Sequence, residues 1–519
     1  MTLHLMPVIS PLMLVLGAAL AFCTGDRRAG WLRVVPEAAA LTALAGGVGS
    51  AVWLVIAGPG SGSLTGIEGV APSLRLDVVS AIMLVLVTFI GWVVLRYSAS
   101  YLDGEARQSA FSGWLCLTLA AVLVLVLAGD LVTLVTAWIA TSLCLHQLLL
   151  FYPHRAPARR AARKKFMVAR VGDMALIVAA IMLAVGYQTI DIAEILYQAK
   201  NQEPGVPVLV AAGFLAFAAV MKSAQFPTHG WLTEVMETPT PVSALLHAGV
   251  INAGGFLLIR FADVMLLAPG VLAALVMIGG FTALFGGLVM LAQPAVKTSL
   301  AWSTIAQMGF MIMQCGLALF PLALLHIVAH SLYKAHAFLS SGNAVENVAA
   351  IRRPGVIAIP GGRAVLRAFG LALVIYAVIG VGFGLEDKSP QAVVLGAILI
   401  FGVAYLLAQG LADAAPRVLT QRTALYATAA TISYFTLQTG AEWLTATVLP
   451  ATPVPTPLEW ALLTLAVISF GLVAITQAAF PLWANHPAAA GLRVHLSNGL
   501  YANAVFDRLA GNWSKRDSV

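Results

Sequence analysis

The chain consists largely of apolar runs about 20 residues long, which recur from one end to the other. A helix of that length crosses the ~30 Å of hydrocarbon in a bilayer. Only 10% of the 519 residues are charged and 60% are hydrophobic, whereas soluble domains carry about 25% charged residues. No stretch is long and polar enough to form a separate soluble domain. The sequence therefore predicts an all-α polytopic membrane protein and excludes an ordinary soluble one.

The apolar runs predict about fifteen transmembrane helices. A weak recurrence at an offset of 164 residues matches Ala137-Trp138 with Ala301-Trp302, and Arg170 with Lys334. Of the two segments related by this offset, one starts on the cytoplasmic side and the other outside. This arrangement predicts inverted repeats with discontinuous helices. The predicted spans are 5–23, 37–57, 77–96, 111–128, 131–152, 167–187, 207–226, 241–261, 269–292, 299–318, 320–340, 365–384, 391–411, 423–441 and 458–480.

Most of the 29 Lys and Arg residues fall in alternate loops and in the C-terminal tail. The positive-inside rule then places the N-terminus outside and the C-terminus in the cytoplasm, in a bacterial inner membrane. This bias accounts for the net charge of +7 without a nucleic acid; an anionic lipid or partner at the basic segment 153–165 is the alternative. The four cysteines lie in apolar spans without a Cys-x-x-Cys motif, so we expect no disulfide framework, iron–sulfur site or zinc site.

One basic side chain, Lys222, interrupts an apolar run that begins near Val208. Pro227 is predicted to stop that helix, because proline lacks an N–H and clashes with the preceding turn. A second helix follows and carries His247 in its apolar middle. An ionisable group at membrane depth costs about 2.5–3.5 kcal/mol on insertion scales, and charges beside broken helices form ion sites in transporters. Lys222 and His247 are therefore predicted proton carriers.

The eleventh span is a second polar helix, with His326, His330 and Lys334 at positions i, i+4 and i+8. This spacing stacks the three side chains along one helical face. Imidazole titrates near neutrality and burial can tune a lysine to do so, which favours a proton relay. A metal site and simple polar packing are the alternatives. The His-Glu-x-x-His motif is absent and no third ligand is evident, so we expect no metal.

Two other groups of charges allow two interpretations each. Arg170 and Asp173 are three residues apart and share one helical face, so they form either a packing ion pair or part of the proton path. Glu386 and Lys388 lie between a glycine-rich stretch and Pro390. They indicate either a charged break in the second half or a short outer loop with solvated charges.

Several motifs together resemble the antiporter-like subunits of respiratory complex I and of Mrp cation/proton antiporters. The resemblance covers roughly residues 75–345 and rests on a constellation rather than on one short motif. Its motifs are Lys222-Ser-Ala-Gln-Phe-Pro, Pro239-Thr-Pro-Val-Ser-Ala-Leu-Leu-His247, Arg260, Lys297 with Ala301-Trp302-Ser303-Thr304, the trio His326, His330 and Lys334, and Arg170-Val-Gly-Asp173.

The resemblance implies two inverted five-helix repeats, at residues 111–262 and 263–412. Residues 1–110 are then N-terminal packing helices, and residues 413–519 form C-terminal helices and an amphipathic cytoplasmic tail. It also implies a central line of proton-carrying side chains, in which Lys222 serves the first half and His247 links it onward. The second half is served by His326, His330, Lys334 and Lys297.

The chain departs from the family pattern in two places. Ile139 replaces the fifth-span glutamate that normally pairs with the lysine at position 222. Another carboxylate must then serve Lys222, and the candidates are Asp173, Glu234 and Glu237. In the second half, Glu386 aligns with the twelfth-span lysine of complex I, and Lys388 follows two residues later.

Within this group, His229-Gly-Trp-Leu and Glu234-Val-Met-Glu-Thr-Pro-Thr-Pro are most similar to the DabB-like membrane subunits of DAB inorganic carbon accumulation complexes. That resemblance implies a hetero-oligomer with a cytosolic DabA-like zinc protein that is similar to a carbonic anhydrase. Flow of protons, or of Na+, through this chain would then drive hydration of CO2 to bicarbonate in the partner.

The chain itself shows no zinc ligands, nucleophile triad or nucleotide loop, so we expect a transport subunit without its own cofactor rather than an enzyme. Two alternatives stay open. One is a proton-translocating subunit of an Mrp-type antiporter or of a respiratory NADH dehydrogenase. The other is a non-conducting membrane anchor of a peripheral enzyme, which the missing fifth-span carboxylate keeps open.

Overall fold

The computed structural model describes residues 6–24, 31–63, 72–343, 361–412, 416–483 and 485–511. Nearly all regular structure in these ranges is helical, which confirms the predicted all-α polytopic membrane class. A short antiparallel ribbon of β1 (Gly60–Ser63) and β2 (Ser73–Leu76) is the only sheet in them.

Each apolar run predicted up to the middle of the chain lies on one or more helices, with bounds that differ most at the start of α6 and the end of α8. They are α1 (Met6–Thr24), α2 (Trp31–Ala57), α3 (Val78–Tyr101), α4 (Gln108–Leu127), α5 (Leu131–Leu149), α6 (Ala156–Tyr187), α7 (Ile192–Asn201), α8 (Val206–Lys222), α9 (Gly230–Glu234), α10 (Thr240–Ala248), α11 (Ala253–Arg260) and α12 (Ala262–Leu266).

The described residues of the second half are also mostly helical. They are α13 (Pro269–Leu291), α14 (Val296–Gly316), α15 (Phe320–Leu339), α16 (Gly362–Gly382), α17 (Pro390–Gly410), α18 (Arg417–Thr445), α19 (Pro457–Ala478), α20 (Phe480–Trp483), α21 (Pro487–Ser497) and α22 (Ala502–Gly511). Short 3-10 helices span Val235–Glu237, Val250–Asn252, Ser340–Asn343, Leu385–Asp387 and Gly499–Tyr501.

Twelve helices in the described ranges are long and apolar enough to cross a membrane. The number rises to thirteen if α7 and α8, which meet at 120°, count as one bent span. The predicted count of fifteen is therefore not confirmed. The predicted spans 299–318 and 423–441 do fall on helices, α14 and α18, but both contain many Ser, Thr and Gln residues and are too polar to qualify on apolarity alone. The inverted repeats and the four-part division of the chain stay predictions.

At one end of the bundle, which we call the anchor end, Asp77 ties α3 to α11. Its Oδ2 lies 2.5 Å from a guanidinium nitrogen of Arg260 and 2.8 Å from Nε of Arg75. Its Oδ1 caps α3 by accepting the backbone N–H of Ser80 at 2.8 Å. Burial favours a higher pKa for this carboxyl, but Arg260 and Arg75 outweigh burial and hold the pKa of Asp77 well below its usual range.

The opposite end, which we call the basic end, holds the start of α6. Residues 153–165 were predicted as a loop, yet α6 already begins at Ala156 and buries Lys164. Nζ of Lys164 donates to Glu234 at 2.8 Å and to Asp507 at 2.6 Å, and it also contacts Asn503. Two carboxylates thus replace water around this ammonium, and they tie the C-terminal helix α22 to the first half of the bundle.

Candidate functional site

Helix α8 ends at Lys222, inside the bundle. The sequence predicted a span to residue 226, so the break lies earlier than expected. The backbone N–H of Ser223 closes the last turn on the carbonyl of Ala219 at 2.9 Å, and Ala224 then takes a left-handed φ of 50°, which ends the helix. The next helix, α9, starts at Gly230. Lys222 therefore stands at a helix C-terminus, where the backbone dipole favours a cation.

The ammonium of Lys222 is buried without an acceptor. Its Nζ has no hydrogen-bond partner among the described residues and lies 4.3 Å from the ring centroid of Trp138. A desolvated cation over an indole gains roughly 2 kcal/mol. Beside Lys222 lies a cavity of about 20 Å³, which is room for about one water molecule. Lys222 can therefore exchange a proton with a water without leaving the interior.

Asp173 is the carboxylate that acts electrostatically on Lys222. It is 2% exposed, and its Oδ2 lies 2.6 Å from a guanidinium nitrogen of Arg170. The two groups are in contact but are not aligned for a hydrogen bond. Arg170 and Asp173 thus form the ion pair that their spacing predicted, and Asp173 is close enough to Lys222 to act on its charge.

The other proposed partners of Lys222 lie elsewhere. Glu234 is bound to Lys164, so its charge is already matched. Glu237 ends a 3-10 helix, and its side chain lies outside the part of the chain that the structure describes. Ile139 is half-buried and supplies no charge where the family pattern has a glutamate. Of the candidate carboxylates that the structure describes, Asp173 is the one near Lys222.

The predicted eighth span is interrupted at Gly249, between α10 and α11. His247 lies at the end of α10, and its Nδ1 is 2.9 Å from the hydroxyl of Thr304 on α14. Its ring stacks on Phe338 with centroids 4.4 Å apart. Residues on both sides of His247 line the Lys222 cavity, namely Leu246, Val250 and Ile251.

The polar side chains of α15 meet this interruption. Nε2 of His330 donates to the backbone carbonyl of His247 at 3.2 Å, so Nε2 must carry a proton. The ring of His326 lies one turn away, with centroids 5.9 Å apart. Nζ of Lys334 instead donates to the carbonyl of Leu300 at 3.0 Å and to the hydroxyl of Ser303 at 2.8 Å. The structure thus brings His247, His330 and His326 into one row, with Lys334 held against α14.

The remaining predicted site residues lie farther from this row. Lys297 is half-buried at the start of α14 and donates to the hydroxyl of Thr240 at 3.0 Å. Glu386 is exposed in the 3-10 turn between α16 and α17. Lys388 pairs with Glu442 at 2.6 Å. Both charges lie in the connection between α16 and α17, and the two interpretations of this segment stay predictions.

Sequence reasoning missed three residues of this region. Lys165 is buried and lines the same cavity as Lys222; a lysine at the end of a basic run gives no signal that it points inward. Trp138 covers Lys222 from α5. His229 is buried among Phe226, Phe285 and Trp302, and neither ring nitrogen has a partner among the described residues. Within those residues no three His, Cys, Asp or Glu side chains are grouped so as to hold a metal ion.

Two known protein families match parts of this chain. Residues 128–355 match the family "NADH:quinone oxidoreductase/Mrp antiporter, TM". Residues 69–112 match the family "NADH-Ubiquinone oxidoreductase (complex I), chain 5 N-terminus". The first of these matches contains Lys222, His247 and the polar residues of α15.

The chain is also similar to named transporter subunits and to one solved complex. A probable inorganic carbon transporter subunit DabB2 from Halothiobacillus neapolitanus is 37% identical over 461 residues, which is 87% of this chain and 82% of that protein. A probable subunit DabB from Hydrogenovibrio crunogenus is 47% identical over 271 residues, 52% of each protein. A chain of the Mrp complex from Dietzia has the same fold, with a TM-score of 0.62 at 24% identity over 99% of this chain and 60% of that one.

These relatives are named as transporter subunits and the chain shares their family, so it is an ion-translocating, multi-pass membrane subunit rather than an enzyme. The chain belongs to the DabB family of inorganic carbon transporter subunits, within the wider group of complex I and Mrp antiporter-like subunits.

Proposed function

We propose that this chain conducts protons and couples their flow to hydration of CO2 by a DabA-like zinc protein, so that bicarbonate accumulates. The observation that carries the proposal is the unpaired Nζ of Lys222 beside a cavity that has room for one water molecule. A buried amine with access to water can bind and release a proton, which is what an ion-translocating site requires.

The chemistry of the polar row favours protons over Na+. Sodium is a hard cation that prefers oxygen ligands, whereas Lys222 and the three histidines offer nitrogen, and Asp173 is already in contact with Arg170. Lys222, His247, His330 and His326 can each accept and release a proton, and protonated forms of all four repel a metal cation. Lys334 and Lys297 would extend the path toward the second half.

Coupling to a separate hydration enzyme is the second part of the proposal. The relatives named DabB and DabB2 are described as subunits of inorganic carbon transporters, which supports a partner chain. We assign the zinc and the hydration step to a DabA-like partner on the cytoplasmic side. The placement of Lys and Arg residues supports an N-terminus outside and a C-terminus in the cytoplasm of a bacterial inner membrane, with α21 and α22 beside that partner.

The test is substitution of Lys222 in the complex purified through a tag on this chain. Lys222→Met removes the titrating group, and Lys222→Arg keeps a charge that cannot be released. We expect both variants to assemble with the zinc-containing partner and to lose uptake of labelled inorganic carbon to the background level. Lys200→Met is the matched control, because Lys200 is half-exposed and lies at the anchor end.

A non-conducting anchor predicts a different outcome. The apolar Ile139 at the position of the family glutamate is the observation that favours this alternative. An anchor would keep full carbon uptake in the Lys222→Met variant and in cells treated with a protonophore. Either result would refute proton coupling while leaving the family assignment intact. Absence of zinc from the purified complex would refute the proposed partner.

A further inference from the structure

A second buried lysine, Lys165, shares the cavity of Lys222. It lies on α6 and is 6% exposed. Its Nζ donates to the backbone carbonyl and to the hydroxyl of Ser142 on α5, both at 2.9 Å. Val168 and Ala169, one turn farther along α6, form part of the same cavity wall. The cavity is therefore lined by two amines and otherwise mostly by apolar side chains.

The charges around this cavity do not balance. Lys165, Arg170 and Lys222 are potential cations, and Asp173 is the one carboxylate that acts on them among the described residues. Arg170 cannot release its proton and is in contact with Asp173 at 2.6 Å. The two lysines are then left without a counter-ion, and two buried like charges at one site disfavour each other. One proton shared between two amines relieves that repulsion.

The contacts of Lys165 suit either protonation state. An ammonium has three N–H donors, whereas a neutral amine has two donors and a lone pair. Two acceptors on Ser142 satisfy both N–H groups of the neutral amine and leave its lone pair free for a water molecule in the cavity. A lysine held by a carboxylate would instead be fixed in the charged form.

We propose that Lys165 is a second proton carrier, which passes protons to and from Lys222 through the water in their shared cavity. This inference rests on the proposed proton conduction through Lys222. In the transfer, one N–H bond of the Lys165 ammonium breaks and its electron pair stays on Nζ. The water accepts that proton and gives another of its protons to Nζ of Lys222, so that water is regenerated and one proton has moved.

The neighbouring Lys164 provides an internal comparison. It is as deeply buried as Lys165, but it donates to Glu234 and Asp507. Those carboxylates accept hydrogen bonds from its Nζ, so Lys164 links α6 to α9 and α22. A Lys→Arg substitution should therefore have different effects at the two adjacent positions. Arginine at 164 can still pair with Glu234 and Asp507, whereas arginine at 165 has no proton that it can release.

The experiment measures proton flux driven by a pH gradient in liposomes that contain the intact complex. The variants are K165R, K165M, K164R and K222M, each checked for assembly by size-exclusion chromatography. We expect K165R and K165M to lower the flux at least about tenfold, as loss of a positioned proton-transfer group does, while K164R keeps most of it.

The pH profile separates proton transfer from packing. The charged and titratable groups around Lys165 other than Lys222, namely Arg170, Asp173 and His146, stay in place in these variants. The fixed charge in K165R should therefore move the pH profile of the residual flux to lower pH, and the loss of that charge in K165M should move the profile to higher pH. Wild-type flux and an unchanged profile in K165R would overturn the role of Lys165 but leave proton conduction standing, provided that K222M is inactive. Undiminished flux in K222M would overturn both.

Discussion

The buried ion pair between Asp77 and Arg260 is expected to be a main determinant of stability at the anchor end. The two side chains are 3% and 2% exposed, and their atoms lie 2.5 Å apart. Asp77→Asn removes the charge but keeps a side chain that can still cap α3, because asparagine is as good an N-cap as aspartate. The substitution therefore isolates the charge from the cap.

Removal of one partner from a buried ion pair costs about 3–5 kcal/mol, because the other charge is left uncompensated. That free energy corresponds to a decrease of roughly 10²- to 10⁴-fold in the ratio of folded to unfolded protein. The assay is equilibrium unfolding by SDS in mixed micelles, with wild type, Asp77→Asn, Arg260→Met and the double variant. The double variant should lose less unfolding free energy than the two single variants lose together, because neither charge of this pair is then left without its partner.

Arg96→Met is the control, because Arg96 is 67% exposed and lies 3.8 Å from Glu37. Exposed pairs of that kind contribute about 0–1 kcal/mol. If Asp77→Asn unfolds at the same SDS concentration as Arg96→Met, the Asp77–Arg260 ion pair does not stabilise the bundle and the reasoning is refuted. Additivity in the double variant would show that the two residues act independently.

Three further outcomes are expected. Because Arg260 and Arg75 together outweigh burial and lower the pKa of Asp77, the difference in unfolding free energy between wild type and Asp77→Asn should be constant above about pH 4 and shrink as the pH falls through the lower folded-state pKa; a difference that grew with acid would contradict this sign. Asp173→Asn should reduce proton flux through the complex, because it leaves Lys222 without a nearby carboxylate, whereas Asp173→Glu should restore part of the flux; wild-type flux in Asp173→Asn would argue against a role for this carboxylate. Asp507→Ala should cost less than about 1 kcal/mol because its side chain is 45% exposed, yet it should speed tryptic cleavage within α22, and an unchanged cleavage rate would show that the ion pair does not hold the tail.

The helices were predictable from the sequence because a long apolar run has few alternatives to a membrane-spanning helix. The count was less certain, since α14 and α18 carry hydroxyl side chains that bond to their own helix backbone, as Thr431 does to Ala427. Because their hydroxyls are hydrogen-bonded to the helix backbone, such residues are tolerated within a membrane. They nevertheless lower the mean hydropathy of the helix, from which the number of spans is judged. The break at Lys222 was predicted from Pro227, but its position depends on the left-handed Ala224, which no propensity indicates.

The candidate site was predictable where its residues share one helix and unpredictable where they do not. The spacing of His326 and His330 placed both on one face, and their rings are one turn apart. The contact of His330 with the carbonyl of His247 joins residues 83 positions apart in the chain, and that of Lys164 with Asp507 joins residues 343 apart. The sequence alone gave no means to pair these positions, so Lys164 and Lys165 looked like solvated charges in a loop.

Lys164 and Lys165 are consecutive residues of one helix, yet the first contacts Asp507 on α22 and the second lines the cavity next to Lys222. A displacement of α22 that moves Asp507 would therefore act on the same turn of α6 that positions the amine of Lys165.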